Sequence, residues 1–125
     1  MQKVLSQLIN KAKTDPSVIA IAFFGSYARQ EKPRDIDICI FLKQKKYSGY
    51  EISKKRLKYT SENEIYDIQI FQGLPLYIQH NIFQEMKLIY CKQNDLLYDL
   101  YFQTERDFEH FKPIYEGYLE AVANG

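Results

Sequence analysis

The pattern that most constrains this chain is a pair of strand-like apolar runs joined through a Gly-Ser turn, with acids set inside the second run. Val18 to Phe24 is uninterrupted apolar sequence and ends in Gly25-Ser26. After eight residues, Tyr27 to Arg34, Asp35-Ile36-Asp37 opens a second apolar run that continues to Leu42. A third acid, Asp67, lies inside the run Ile65 to Phe71. An unpaired carboxylate is costly to bury, so acids inside strands need a partner. In a strand, residues i and i+2 share a face and lie roughly 6.6 Å apart along the chain. Asp35 and Asp37 are thereby spaced to reach a pair of divalent ions about 3.5–4 Å apart. Asp67, on a neighbouring strand about 4.8 Å away, closes the site from the side.

The phase of both runs agrees with this. Asp35, Asp37, Cys39 and Phe41 share one face, with Ile36, Ile38, Ile40 and Leu42 on the other. Asp67 falls with Ile65, Gln69 and Phe71, opposite Tyr66, Ile68 and Ile70. Each strand therefore keeps one apolar or aromatic face for a core. Gly25-Ser26, followed by the helix formers Ala28, Arg29 and Gln30, reads as a tight turn into a helix N-terminus. There glycine permits φ > 0 and close approach of a ligand, and free N–H groups can receive an anion.

Periodicity places the remaining elements. Val4, Leu5, Leu8, Ile9 and Ala12 form a helical stripe that Asp15-Pro16 ends. A helix is expected over Tyr50 to Tyr59, anchored by Ile52, Leu57 and Tyr59. Another is expected over Pro75 to Glu85, with proline in its first turn. Met86 to Tyr90 reads as a short strand, and Asp95 caps a long helical region that Pro113 should kink or split. That region carries Tyr98, Tyr101, Phe102, Phe108, Phe111, Tyr115 and Tyr118, more aromatic positions than one sheet-facing stripe uses. The excess has two readings, a protein interface, where tyrosine is favoured, and core packing alone. Lys43, Lys45, Lys46, Lys54, Lys55, Arg56 and Lys58 form a basic cluster, read as a solvated face.

Composition narrows the class. With 125 residues, 46% hydrophobic and 26% charged, one globular domain over residues 1–125 is expected. The net charge of +1 supplies no global field toward nucleic acid. The start of the chain reads as an amphipathic helix, not a signal peptide, and no apolar run reaches membrane-spanning length. Cys39 and Cys91 read as reduced residues in strands, and His80 and His110 stand alone. These features predict a cytoplasmic protein.

The run GSYAR, then DID, then a lone Asp in the next strand resembles the minimal nucleotidyltransferases of the DNA polymerase β superfamily. The similarity is strongest to the small antitoxin members paired with HEPN-domain toxins, and the later Met86 to Tyr90 stretch fits as well. The loop Tyr27 to Arg34 is shorter than is usual in the family, and it is basic at Lys32-Pro33-Arg34. The resemblance implies an α/β (α+β) fold of polymerase β type, a small mixed sheet flanked by helices with a helical C-terminal region. It implies two Mg²⁺ ions (or Mn²⁺) held by Asp35, Asp37 and Asp67, with Asp67 also orienting or deprotonating the attacking hydroxyl. Gly25, Ser26 and Arg29 would bind the phosphates of ATP. The implied reaction is transfer of AMP to a tyrosine of a HEPN toxin within a hetero-oligomer. Two alternatives stay open: an antidote that acts by binding alone, and an enzyme that modifies a small molecule or an RNA end.

Overall fold

The computed structural model describes residues 2–30, 35–60, 63 and 65–124. The reading of a basic loop over Lys32-Pro33-Arg34 falls outside them. The elements run α1 (Gln2–Lys13), β1 (Val18–Phe24), α2 (Gly25–Ala28), β2 (Ile36–Leu42), α3 (Gly49–Tyr59), β3 (Tyr66–Ile70), α4 (Leu76–Glu85), β4 (Lys87–Cys91) and α5 (Asn94–Asn124). A short 3-10 turn, Phe71–Gly73, follows β3.

The four strands form one mixed sheet in the order β3-β2-β1-β4. β1 lies antiparallel to both β2 and β4, and β2 lies parallel to β3. The fold class expected from the sequence is therefore the one observed.

Alternation along the strands separates two cores, as period two requires. Ile21, Ile36, Ile38, Ile40, Ile68 and Ile70 face Leu8, Ala12 and Tyr59, so α1 and α3 cover that side. Ala20, Ala22, Cys39 and Phe41 face Phe71, Ile82, Leu97 and Leu100, so α4 and α5 cover the other. On the second side Phe41 stacks on Phe71 at 4.9 Å between ring centres, and Phe83 closes the cluster edge-on. Gln72 reaches across to the end of β2, where its amide accepts from the Leu42 N–H and donates to the Leu42 carbonyl.

Two expectations change here. Leu57 is not an anchor: it is 76% exposed. At about 100° per residue, Leu57 lies about 140° round the helix from Ile52, whereas Tyr59 returns to the buried side. The long C-terminal helix is not split, because α5 runs as one helix through Pro113. The rings of Phe108 and Tyr115, on either side of Pro113, stack on His80 and Tyr77 of α4 and hold both halves.

Asp15, which the sequence offered only as a helix stop, is a buried hub. It accepts from Lys55 at 2.9 Å, from Lys58 at 3.3 Å and from the Tyr59 hydroxyl at 2.9 Å, and also from the Ser17 N–H and hydroxyl. Burial by itself would raise its carboxyl; the bonds from Lys55, Ser17 and Tyr59 outweigh that and hold it far below the usual range. Two members of the basic cluster therefore have a structural duty.

Candidate active site

Strand register builds the site. Phe24, the last residue of β1, pairs with Asp37, and Asp37 pairs in turn with Asp67 across the parallel β2–β3 ladder. The chain leaves β1 at Gly25 with φ +69°, a conformation that suits glycine. A Cβ added at Gly25 would collide with Asp37 Oδ2. The turn thus needs glycine twice, for its dihedral angle and for the carboxylate packed against it.

Asp37 is half-buried beside Asp67. Burial first, then the charges of Asp67 and Asp35, then a hydrogen bond shared with Asp67, push its carboxyl above the ordinary value; Arg29 works in the opposite direction. Asp35 sits just outside β2 and is exposed, so it reaches Asp37 through its charge. The structure therefore brings Asp37 and Asp67 together, with Asp35 at longer range. Ser26 is half-buried in the first turn of α2, and Arg29 follows that helix as its C-cap.

Three further residues belong to this neighbourhood. Arg56 of α3 donates Nε to the Ile68 carbonyl at 2.7 Å and Nη2 to Asp67 Oδ1 at 3.2 Å. Gln69 donates to both carboxylate oxygens of Asp67, at 3.1 and 3.3 Å. Glu85, the last residue of α4, accepts from the Gly25 N–H at 3.2 Å and pairs with Arg29 at 3.1 Å. Gln69 was legible as the i+2 neighbour of Asp67. Arg56 was legible only as one of several basic residues. Glu85 carried no local signal, being 60 residues from Gly25 in sequence.

The donor set suits a hard divalent cation. Carboxylate oxygens are the ligands that Mg²⁺ and Mn²⁺ prefer, and a cation between Asp37 and Asp67 would relieve the repulsion that raises the Asp37 carboxyl. Among the described residues no group of three acid, histidine or cysteine side chains is already arranged to hold a metal ion. The fit rests on the Asp37–Asp67 pair with Asp35 alongside. A cavity of about 700 Å³ opens elsewhere, between α1 and the end of α3, and no carboxylate lines it. Chemistry, and not volume, marks the site.

Residues 6–95, which span the Gly-Ser turn and all three acids, match the family described as polymerase beta, nucleotidyltransferase. The chain belongs to the polymerase beta nucleotidyltransferase family. It is 36% identical over 81 residues to a Methanocaldococcus jannaschii protein named protein adenylyltransferase MJ1547; the match takes in 63% of this chain and spans 61% of that relative's length. Among solved structures, a toxin–antitoxin crystal structure with AMP-PNP superposes with a TM-score of 0.72 at 17% identity, covering 98% of each chain. A complex of tri-AMPylated Shewanella oneidensis HEPN toxin with MNT antitoxin gives 0.67 at 18% identity, covering 98% of this chain and 99% of the other. At these identities the likeness is one of fold. No helix among the described residues is long and apolar enough to cross a membrane.

Proposed function

We propose that this chain is a metal-dependent nucleotidyltransferase that transfers AMP from ATP to a tyrosine hydroxyl of a HEPN-domain partner, as the antitoxin of a toxin–antitoxin pair. The observation that carries the reading is the crowding of Asp37 against Asp67 beside Gly25, on a family match that contains all of these residues. The name of the M. jannaschii relative and the toxin–antitoxin structural neighbours support the substrate and the partner.

In this reading Asp35, Asp37 and Asp67 would hold two Mg²⁺ ions, which when bound supply charge neutralisation for the attacking oxygen and the departing pyrophosphate. Gly25, Ser26 and Arg29 hold the terminal phosphates and keep the α-phosphorus in line with the acceptor. Asp67, held in place by Arg56 and Gln69, receives the proton of the acceptor hydroxyl. The hydroxyl oxygen bonds to the α-phosphorus, the bond to the bridging oxygen breaks, and pyrophosphate leaves. The acceptor comes from the partner protein.

A second reading, an antidote that binds without turnover, draws on one observation: the groups of the site already satisfy one another, Asp67 through Arg56 and Gly25 through Glu85. Calorimetry with ATP separates the two. The enzyme reading expects ATP binding that requires Mg²⁺ or Mn²⁺ and is abolished by EDTA. A folded chain that binds no ATP with either metal would leave the antidote reading.

A further inference from the structure

Glu85 closes α4 with its carboxylate set on two donors that the nucleotide reading assigns to phosphate. Oε1 accepts from the Gly25 N–H at 3.2 Å and from Arg29 Nη1 at 3.1 Å, while Oε2 accepts from the same Nη1 at 3.1 Å. Gly25 is thus held between two carboxylates, Glu85 at its N–H and Asp37 against its Cα. A phosphate oxygen seeking the Gly25 N–H meets a donor already in use, and it meets the negative charge of Glu85 as well.

We propose that Glu85 is an internal occupant of these donors, which a polyphosphate must displace on binding, and that it thereby sets the affinity of the site for nucleotide. The proposal rests on the nucleotide reading of the site and names its regulating residue. Exposure supports a displaceable contact. The Arg29 side chain is 47% exposed and that of Glu85 26%, so the ion pair is partly solvated and weaker than a fully buried one. The position of Glu85 supports it too. It is the last helical residue, directly before the turn at Met86 into β4, so its side chain can swing outward without disturbing the buried face at Ile82. A ligand that binds only the open arrangement has its affinity reduced by the fraction of time that arrangement is populated.

The test is calorimetric titration of the intact chain with ATP in Mg²⁺, comparing wild type, Glu85→Gln, Glu85→Ala, Arg29→Gln and the Arg29→Gln/Glu85→Gln pair, with thermal melts to establish folding. Removing the carboxylate is expected to tighten ATP binding about three- to tenfold, the scale on which a partly exposed pair biases an equilibrium. The gain should shrink in the Arg29→Gln background. Wild-type binding that Glu85→Gln leaves unchanged or weakens would overturn the proposal while the nucleotide reading stands, since Glu85 would then be a brace for the turn. Absence of binding in wild type and variants alike overturns the nucleotide reading and this proposal with it. Should the variants not fold, amide NMR of the wild type decides. The Gly25 resonance must move as ATP saturates the site; a stationary Gly25 amide contradicts displacement.

Discussion

Asp37 and Asp15 are two carboxylates with opposite electrostatic fates, and each predicts a pH dependence. Burial and the neighbouring acids raise the Asp37 carboxyl in the folded chain. Its contribution to stability is complete below the ordinary carboxylate value of about 3.9 and is lost as pH rises through the raised one. At neutral pH without divalent metal, Asp37→Asn should therefore melt higher than wild type, and the difference should vanish on acidification below that ordinary value. Asp15 runs the other way. Its lowered carboxyl contributes stability above about pH 3.9 that is lost as pH falls. Asp15→Asn should cost about 2–3 kcal/mol at neutral pH, the scale of hydrogen bonds to a charged group, and much less at the acid end of a denaturation series. At this scale the sequence showed the acids of β2 and β3, because alternation fixes which face a strand residue takes. It hid the partners of Asp15 and the contact of Glu85, which tertiary packing joins across 40 and 60 residues.

The short passage from β1 through Gly25 into α2 is the element on which the site depends. An added methyl at Gly25 meets both a left-handed dihedral angle and the Asp37 carboxylate. Gly25→Ala is expected to lower stability by about 1–3 kcal/mol, the scale of local backbone strain, and to abolish ATP binding in chains that still fold. Thermal melts and calorimetry on one sample read both. The extent of β1, Val18–Phe24, was legible from its uninterrupted apolar run, while the other three strands each begin or end one residue away from the bounds their sequence indicates. Helix faces were less so. In α3 the apolar Leu57 faces water while Arg56 turns toward the sheet to hold Asp67. Residue type misled there, and angular position around the helix decided.

Across the whole molecule, the sheet with its two helical layers accounts for the buried positions, and α5 then carries more aromatic surface than the fold uses. Leu97 and Leu100 are buried, whereas Tyr98 is 65% and Tyr118 64% exposed. Tyr98 also borders an apolar groove of about 350 Å³ with Phe83, Met86, Leu88 and Leu97. Replacing Tyr98 or Tyr118 by Ala should weaken partner binding by about 1–2 kcal/mol at a hot spot while leaving ATP affinity unchanged; calorimetry with each ligand separates the two effects. The aromatic excess was visible in the sequence, but which rings face water depends on how α4 lies along α5, through the Tyr77–Tyr115 and His80–Phe108 stacks. The central claim is nucleotidyl transfer by the carboxylates of β2 and β3, and it is met most directly by incubating the chain with the proposed HEPN-domain partner, Mg²⁺ and ATP labelled on the α-phosphate. The account predicts label on a partner tyrosine with release of pyrophosphate, slowed on the order of 10²–10⁴-fold by Asp67→Asn as expected for loss of a general base. A partner that is bound and neutralised yet never labelled, or labelling that Asp67→Asn leaves at the wild-type rate, would contradict it.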